Sequence, residues 1–119
     1  MIQVKRVYSE PNAQDGSRIL VDRVWPRGIS KDRAHIVEWR KELAPSTALR
    51  KWFGHDPKRW EEFQRRYRAE LRRPEQQGRL DELITIARRG PVTLLYSARD
   101  EEHNQALALR SVLEDSLKK

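Results

Sequence analysis

Arg18-Ile19-Leu20-Val21 reads as the start of a buried strand, yet it runs straight into Asp22 and Arg23 and then into Trp25-Pro26-Arg27-Gly28. A buried strand normally continues in Val or Ile. Here an acid and a base are threaded into its end, and Trp25, Pro26 and Gly28 stop it. Charged groups at a strand end, followed by a rigid turn, are what binding sites in open α/β sheets use. A charge removed from water is costly unless paired, so Asp22 needs a partner, and Arg23 and Arg27 are the nearest candidates in sequence. Two readings follow: an ion pair that closes a turn, or charges that form a site.

The remaining elements fit around that strand. Ile2, Val4 and Val7-Tyr8 mark a first strand, ended by the turn-rich Pro11–Gly16, and the second strand is read over Arg18–Val24. Ser30 is placed to cap a helical turn over Lys31–Ala34, and His35–Arg40 fits a short strand better than a helix. Ser46 caps a short helix that Gly54 ends, and Asp56-Pro57 starts another, with Trp60, Phe63, Tyr67 and Leu71 on one face of a helix running to Arg73. Leu80, Leu83, Ile84 and Ala87 belong to a helix that stops at Gly90. Pro91–Tyr96 is a buried strand, and Glu101 to about Leu117 is a closing helix whose first turn carries Asp100, Glu101 and Glu102. This order predicts one α/β domain over residues 1–119: a small parallel or mixed sheet of three to four strands flanked by helices.

Charge and cysteine content narrow the chemistry. The 119 residues hold 25 Lys and Arg against 18 Asp and Glu, a balance that favours anionic partners such as nucleic acid, nucleotides or phosphorylated metabolites. The absence of cysteine fits a reducing cytoplasm and removes thiolate chemistry of the phosphatase or rhodanese kind. No signal-peptide core opens the chain, and the apolar run Val92–Tyr96 is too short to cross a bilayer, so no membrane association is expected.

Specific catalytic motifs are scarce. There is no phosphate-binding Gly-x-x-x-x-Gly-Lys loop, no dinucleotide glycine fingerprint and no Gly-x-Ser-x-Gly elbow, although Ser97, His103 and Asp22 supply the residue types of a hydrolase triad. His35, His55 and His103 lack metal-ligand spacing. Only a convergence in space of Asp22, His55, Asp56 and His103 offers a metal site, and neither metal nor cofactor is expected. Trp60 follows the core stripe, and Trp39 and Trp52 also read as core. Trp25, in the charged turn, is either a stacking surface or an apolar lid over an ion pair.

The order and spacing of several runs resemble the YeaO-like proteins. They are Asp15-Gly16, Arg18–Arg23, Trp25-Pro26-Arg27-Gly28, Ala44-Pro45-Ser46, Trp52–Asp56, Thr93–Tyr96 and Asp100–Asn104, which together cover nearly the whole chain. The resemblance implies a compact bacterial-type α/β domain of a superfamily without an established activity. It also implies a Cys-His-Arg cluster after the last strand in wider relatives, which Tyr96-Ser97-Ala98-Arg99 lacks. Arg99 and Gln105 stand where closer relatives are expected to carry Lys and His.

Two functional classes remain. One is a strand-end pocket for an anionic, phosphate- or carboxylate-bearing small molecule. Arg23, Arg27 and Arg99 would bind it, with Trp25, Ser97, His103 and Asn104 around them and Asp22 and His55 as acid–base candidates. The other is a nucleic-acid-binding accessory protein that uses Arg65, Arg66 and Arg72 on the helix over 57–73. The pocket is favoured because the unusual residues cluster there, whereas a basic helix face has a plain explanation as solvated surface. Oligomeric state and reaction type are not written in these motifs.

Overall fold

In the computed structural model, which describes residues 2–118, four parallel strands form one sheet in the order β1-β4-β2-β3. They are β1 (Ile2–Arg6), β2 (Ser17–Leu20), β3 (Ile36–Trp39) and β4 (Val92–Tyr96). Helices α1 (Thr47–Phe53), α2 (Trp60–Leu71), α3 (Pro74–Arg89) and α4 (Gln105–Leu117) complete the α/β domain.

β4 is buried along its whole length because it lies inside the sheet with both faces covered. Successive side chains on a strand point to opposite faces, and the two cores follow that alternation. Ile19 and Leu94 join the large core built with Phe53, Phe63, Tyr67, Leu83 and Leu109 of the helices. Leu20 and Leu95 face the other way, into a small cluster with Val7, Ala34 and Ile36 that Trp25 and Ile29 cover. Helices therefore pack one face, and the loops around 7 and 25–34 pack the other.

Local chemistry explains most boundaries. Ser46 accepts the Leu49 amide at 3.1 Å to start α1, and Gly54, at φ 53°, ends it in the left-handed region. Asp56 accepts the Lys58 amide, but Pro57–Arg59 forms a 3₁₀ turn, so α2 begins only at Trp60 and stops at Leu71. Gly16 has φ 65°, and a Cβ there would sit 2.0 Å from the Pro91 carbonyl oxygen, so no other residue fits where β2 enters beside β4.

Four sequence expectations are corrected. β1 ends at Arg6, although the Val7 amide still donates to Tyr96 O at 2.7 Å. β2 ends at Leu20 rather than Val24, because Val21 keeps one bond to Leu95 and then the Asp22 carbonyl is taken by the Trp39 indole N–H at 2.7 Å. Residues 31–35 form turns, with Ala34 N donating to Ser30 O, and no helix. Finally, α4 begins at Gln105 with Asn104 as its cap, so Asp100, Glu101 and Glu102 precede the helix instead of lining its first turn.

Candidate functional site

Because β2 and β4 are parallel neighbours with Leu20 beside Leu95, their carboxyl ends open at one place. Val21 and Ser97 are the next residues out. A cleft of about 1150 Å³ lies there, walled by the turn after β2, the segment Ala44-Pro45, helix α1 and the loop between β4 and α4. Asp22, Arg23, Trp25, Arg27, His55, Ser97, Arg99, His103 and Asn104 all line it, so the expected site residues come together.

Asp22 is buried at the floor. Its carboxylate accepts the Ser97 amide at 3.1 Å and the side-chain amide of Gln105. Burial pushes its pKa above the ordinary carboxylate range, against the opposing pull of the Ser97 and Gln105 hydrogen bonds and the positive charge of Arg50. The expected pairing with Arg23 or Arg27 is thus replaced. Arg23 is engaged elsewhere, its Nε and Nη2 donating to the Pro45 and Ala44 carbonyls at 2.9 Å each. Sequence proximity misled here: Gln105 lies 83 positions from Asp22.

The arginines of the cleft divide into two kinds. Arg6 and Arg23 are structural clamps. Arg6 holds the loop after β4 through Ala98 O at 2.9 Å and Ser97 O at 3.0 Å, with its guanidinium 5.0 Å from the centre of the Tyr8 ring. Arg27, Arg50 and Arg99 are exposed, and none makes a side-chain hydrogen bond or close ion pair among the described residues. They come from three segments: the turn after β2, α1, and the loop after β4. The Tyr8 hydroxyl donates to the Arg27 carbonyl at 3.0 Å and fixes the backbone that carries that guanidinium.

The histidines differ in setting. His103 Nδ1 lies 2.9 Å from Asp100, whose own pKa is lowered by the Glu102 backbone amide and by His103. His55 is exposed at the rim in a left-handed backbone, φ 57°, just after Gly54. Asp22, His55, Asp56 and His103 do not gather into a set that could hold a metal ion. Trp25 is half-buried, donates to Ile29 O at 2.9 Å and packs edge-on against Trp39 with centroids 5.3 Å apart. Trp39 is therefore no core residue but a partly exposed one, 37% accessible. Trp52, also read as core, does pack against the large core but is half-buried, with Arg59 and Arg66 over its ring and Arg66 4.2 Å from the ring centre.

The alternative basic surface is partly neutralised. Arg65 and Arg66 share the single carboxylate of Glu62, at 2.7 and 2.9 Å, and Arg72, just after α2, is exposed.

Residues 1–119 match throughout the family model described as the inactive DUF488-N3 subclade. The chain belongs to that family. Uncharacterized protein YeaO of Escherichia coli is 49% identical over 108 residues, which cover 91% of this chain and 92% of that protein. Uncharacterized proteins Rv3073c of Mycobacterium tuberculosis and Mb3100c of Mycobacterium bovis are each 39% identical over 112 residues, 94% of this chain and 92% of theirs. No solved structure matches. Among the described residues, no helix is long and apolar enough to cross a membrane.

Proposed function

We infer that the chain binds an anionic small molecule in the cleft at the carboxyl ends of β2 and β4, as a binding protein without chemistry of its own. The observation that carries this reading is the asymmetry of charge in the cleft. Five arginines line it against two aspartates, and both aspartates are already engaged by neighbouring hydrogen-bond donors. Arg27, Arg50 and Arg99 are left to attract a carboxylate or phosphate, which a guanidinium fork meets with paired, charge-assisted hydrogen bonds.

The family's description as inactive supports binding over catalysis. So does the chain itself: with no cysteine, the loop after β4 offers the Ser97 hydroxyl but no thiolate. Asp22, a base candidate by its raised pKa, is committed to holding Ser97 and Gln105. The nucleic-acid reading is the weaker one, since Glu62 satisfies two of the three arginines it needs.

Isothermal titration calorimetry with inorganic phosphate and with citrate tests the reading. Saturable binding to at least one is expected, and Arg27→Ala or Arg99→Ala should each weaken it roughly ten- to hundredfold, the worth of one charge-assisted contact. Failure of both anions to bind at low salt overturns it.

A further inference from the structure

The loop between β4 and α4 contains a polar pair that anion binding alone does not use. Asp100 Oδ2 holds His103 Nδ1 at 2.9 Å, while Asp100 Oδ1 accepts the Glu102 and His103 amides at 2.9 and 3.1 Å. The ring is further fixed edge-on against Trp60, with centroids 5.5 Å apart. A carboxylate at Nδ1 keeps the proton there, so the neutral imidazole presents the lone pair of Nε2 as an acceptor. Nε2 makes no hydrogen bond among the described residues, and His103 lines the cleft.

An acceptor repels the oxygens of a bound anion, so it is suited to another part of the ligand. A hydroxyl is the simplest group that donates to it. The anionic end can also be narrowed. A carboxylate carries one charge, which a single guanidinium fork balances, whereas guanidiniums from three separate segments, Arg27, Arg50 and Arg99, suit the several oxygens and higher charge of a phosphate group. Resting on the anion-cleft reading, we propose that the ligand is a hydroxyl-bearing phosphomonoester of the sugar-phosphate class, with His103 Nε2 accepting a ligand hydroxyl. Asp100 is then a positioning residue: it acts through the tautomer of His103.

Calorimetry on the full chain at pH 8, with inorganic phosphate, ribose 5-phosphate and ribose as probes, tests this. Ribose 5-phosphate should bind roughly three- to tenfold tighter than inorganic phosphate, the worth of one or two neutral hydrogen bonds, and ribose alone should not bind measurably. Asp100→Asn keeps an acceptor for the two loop amides but turns an amide N–H towards Nδ1. That moves the ring proton to Nε2, a donor that a phosphate oxygen can meet, so inorganic phosphate should bind tighter and the preference should narrow. His103→Phe keeps the edge contact with Trp60, removes every hydrogen-bonding group of the ring and should abolish the preference. Should one variant fail to fold, the other decides. Equal affinity for the two phosphates, or a preference undiminished in a folded variant, overturns the proposal and leaves the anion cleft standing. Absence of binding by either phosphate removes the proposal, and with citrate also silent it removes the cleft reading too.

Discussion

The Ser97 amide donates to the Asp22 carboxylate at 3.1 Å, across 75 positions of sequence. With Gln105 on its other oxygen, Asp22 ties the end of β2 to the loop after β4 and to the start of α4. The floor of the cleft is therefore one hydrogen-bonded unit with the arginines arranged above it.

That bond predicts the behaviour of Asp22→Asn. Both partners of Asp22 are neutral donors, and an asparagine can oppose only one of them with its oxygen while its own N–H₂ meets the other. A loss of about 1–3 kcal/mol is expected in urea denaturation, the cost of a misplaced buried donor. A loss above that range would show a buried cation stranded by the change, and so an ion pair at this position.

Arg23 and Arg27, four positions apart, should behave in opposite ways. Arg23→Ala removes two hydrogen bonds to the Pro45 and Ala44 carbonyls and should destabilise by about 1.5–3 kcal/mol, the range for bonds from a charged donor. Arg27→Ala should leave stability within about 0.5 kcal/mol, because its exposed side chain supports nothing else. Thermal melts of the two variants check this, and equal losses would return Arg27 to architecture.

Stability against pH should show two opposed contributions. Burial raises the pKa of Asp15, but hydrogen bonds from Arg18, Lys5 and the Asn12 amide outweigh it and leave the group below the ordinary range. The stability it contributes is present above about pH 4 and is lost as pH falls through its lowered value. Asp22 is raised, so its contribution is present below the ordinary range and is lost as pH rises through its higher value. Asp15→Asn should flatten the acid limb and cost about 3–5 kcal/mol at neutral pH, since Arg18 is then buried without its counter-charge. Denaturation curves between pH 2 and pH 8 measure both limbs, and an unchanged acid limb in Asp15→Asn would contradict the assignment.

What was legible in the sequence depended on range. Ser46 and Gly54 bound α1 through contacts within a few residues, and the apolar run of β4 needs no partner to be recognised. The meeting of the Asp22–Arg27 turn with the Ser97–Asn104 loop followed from strand ends in a parallel sheet, and both line the cleft. Long-range pairings were not legible. Arg18 read as an ordinary strand residue, yet it is the largest fully buried side chain, held by Asp15 at 2.7 Å and by Ala34 O at 2.7 Å. Among the described residues the fully buried ion pair is thus Asp15–Arg18, three residues apart across the Gly16 turn, and not one made by Asp22. Asp100–Glu102 resembled first-turn acids because nothing in composition shows that Asn104, two residues further on, takes the cap.

Backbone amide mapping by NMR tests the central claim most directly. On titration with inorganic phosphate and, separately, with citrate, the account predicts saturable shifts confined to the cleft with at least one of them: the amides of Arg27, Arg50, Ser97, Arg99 and His103, with those of Arg65, Arg66 and Arg72 unmoved. Shifts centred on Arg65, Arg66 and Arg72, or none that saturate with either anion, would contradict it.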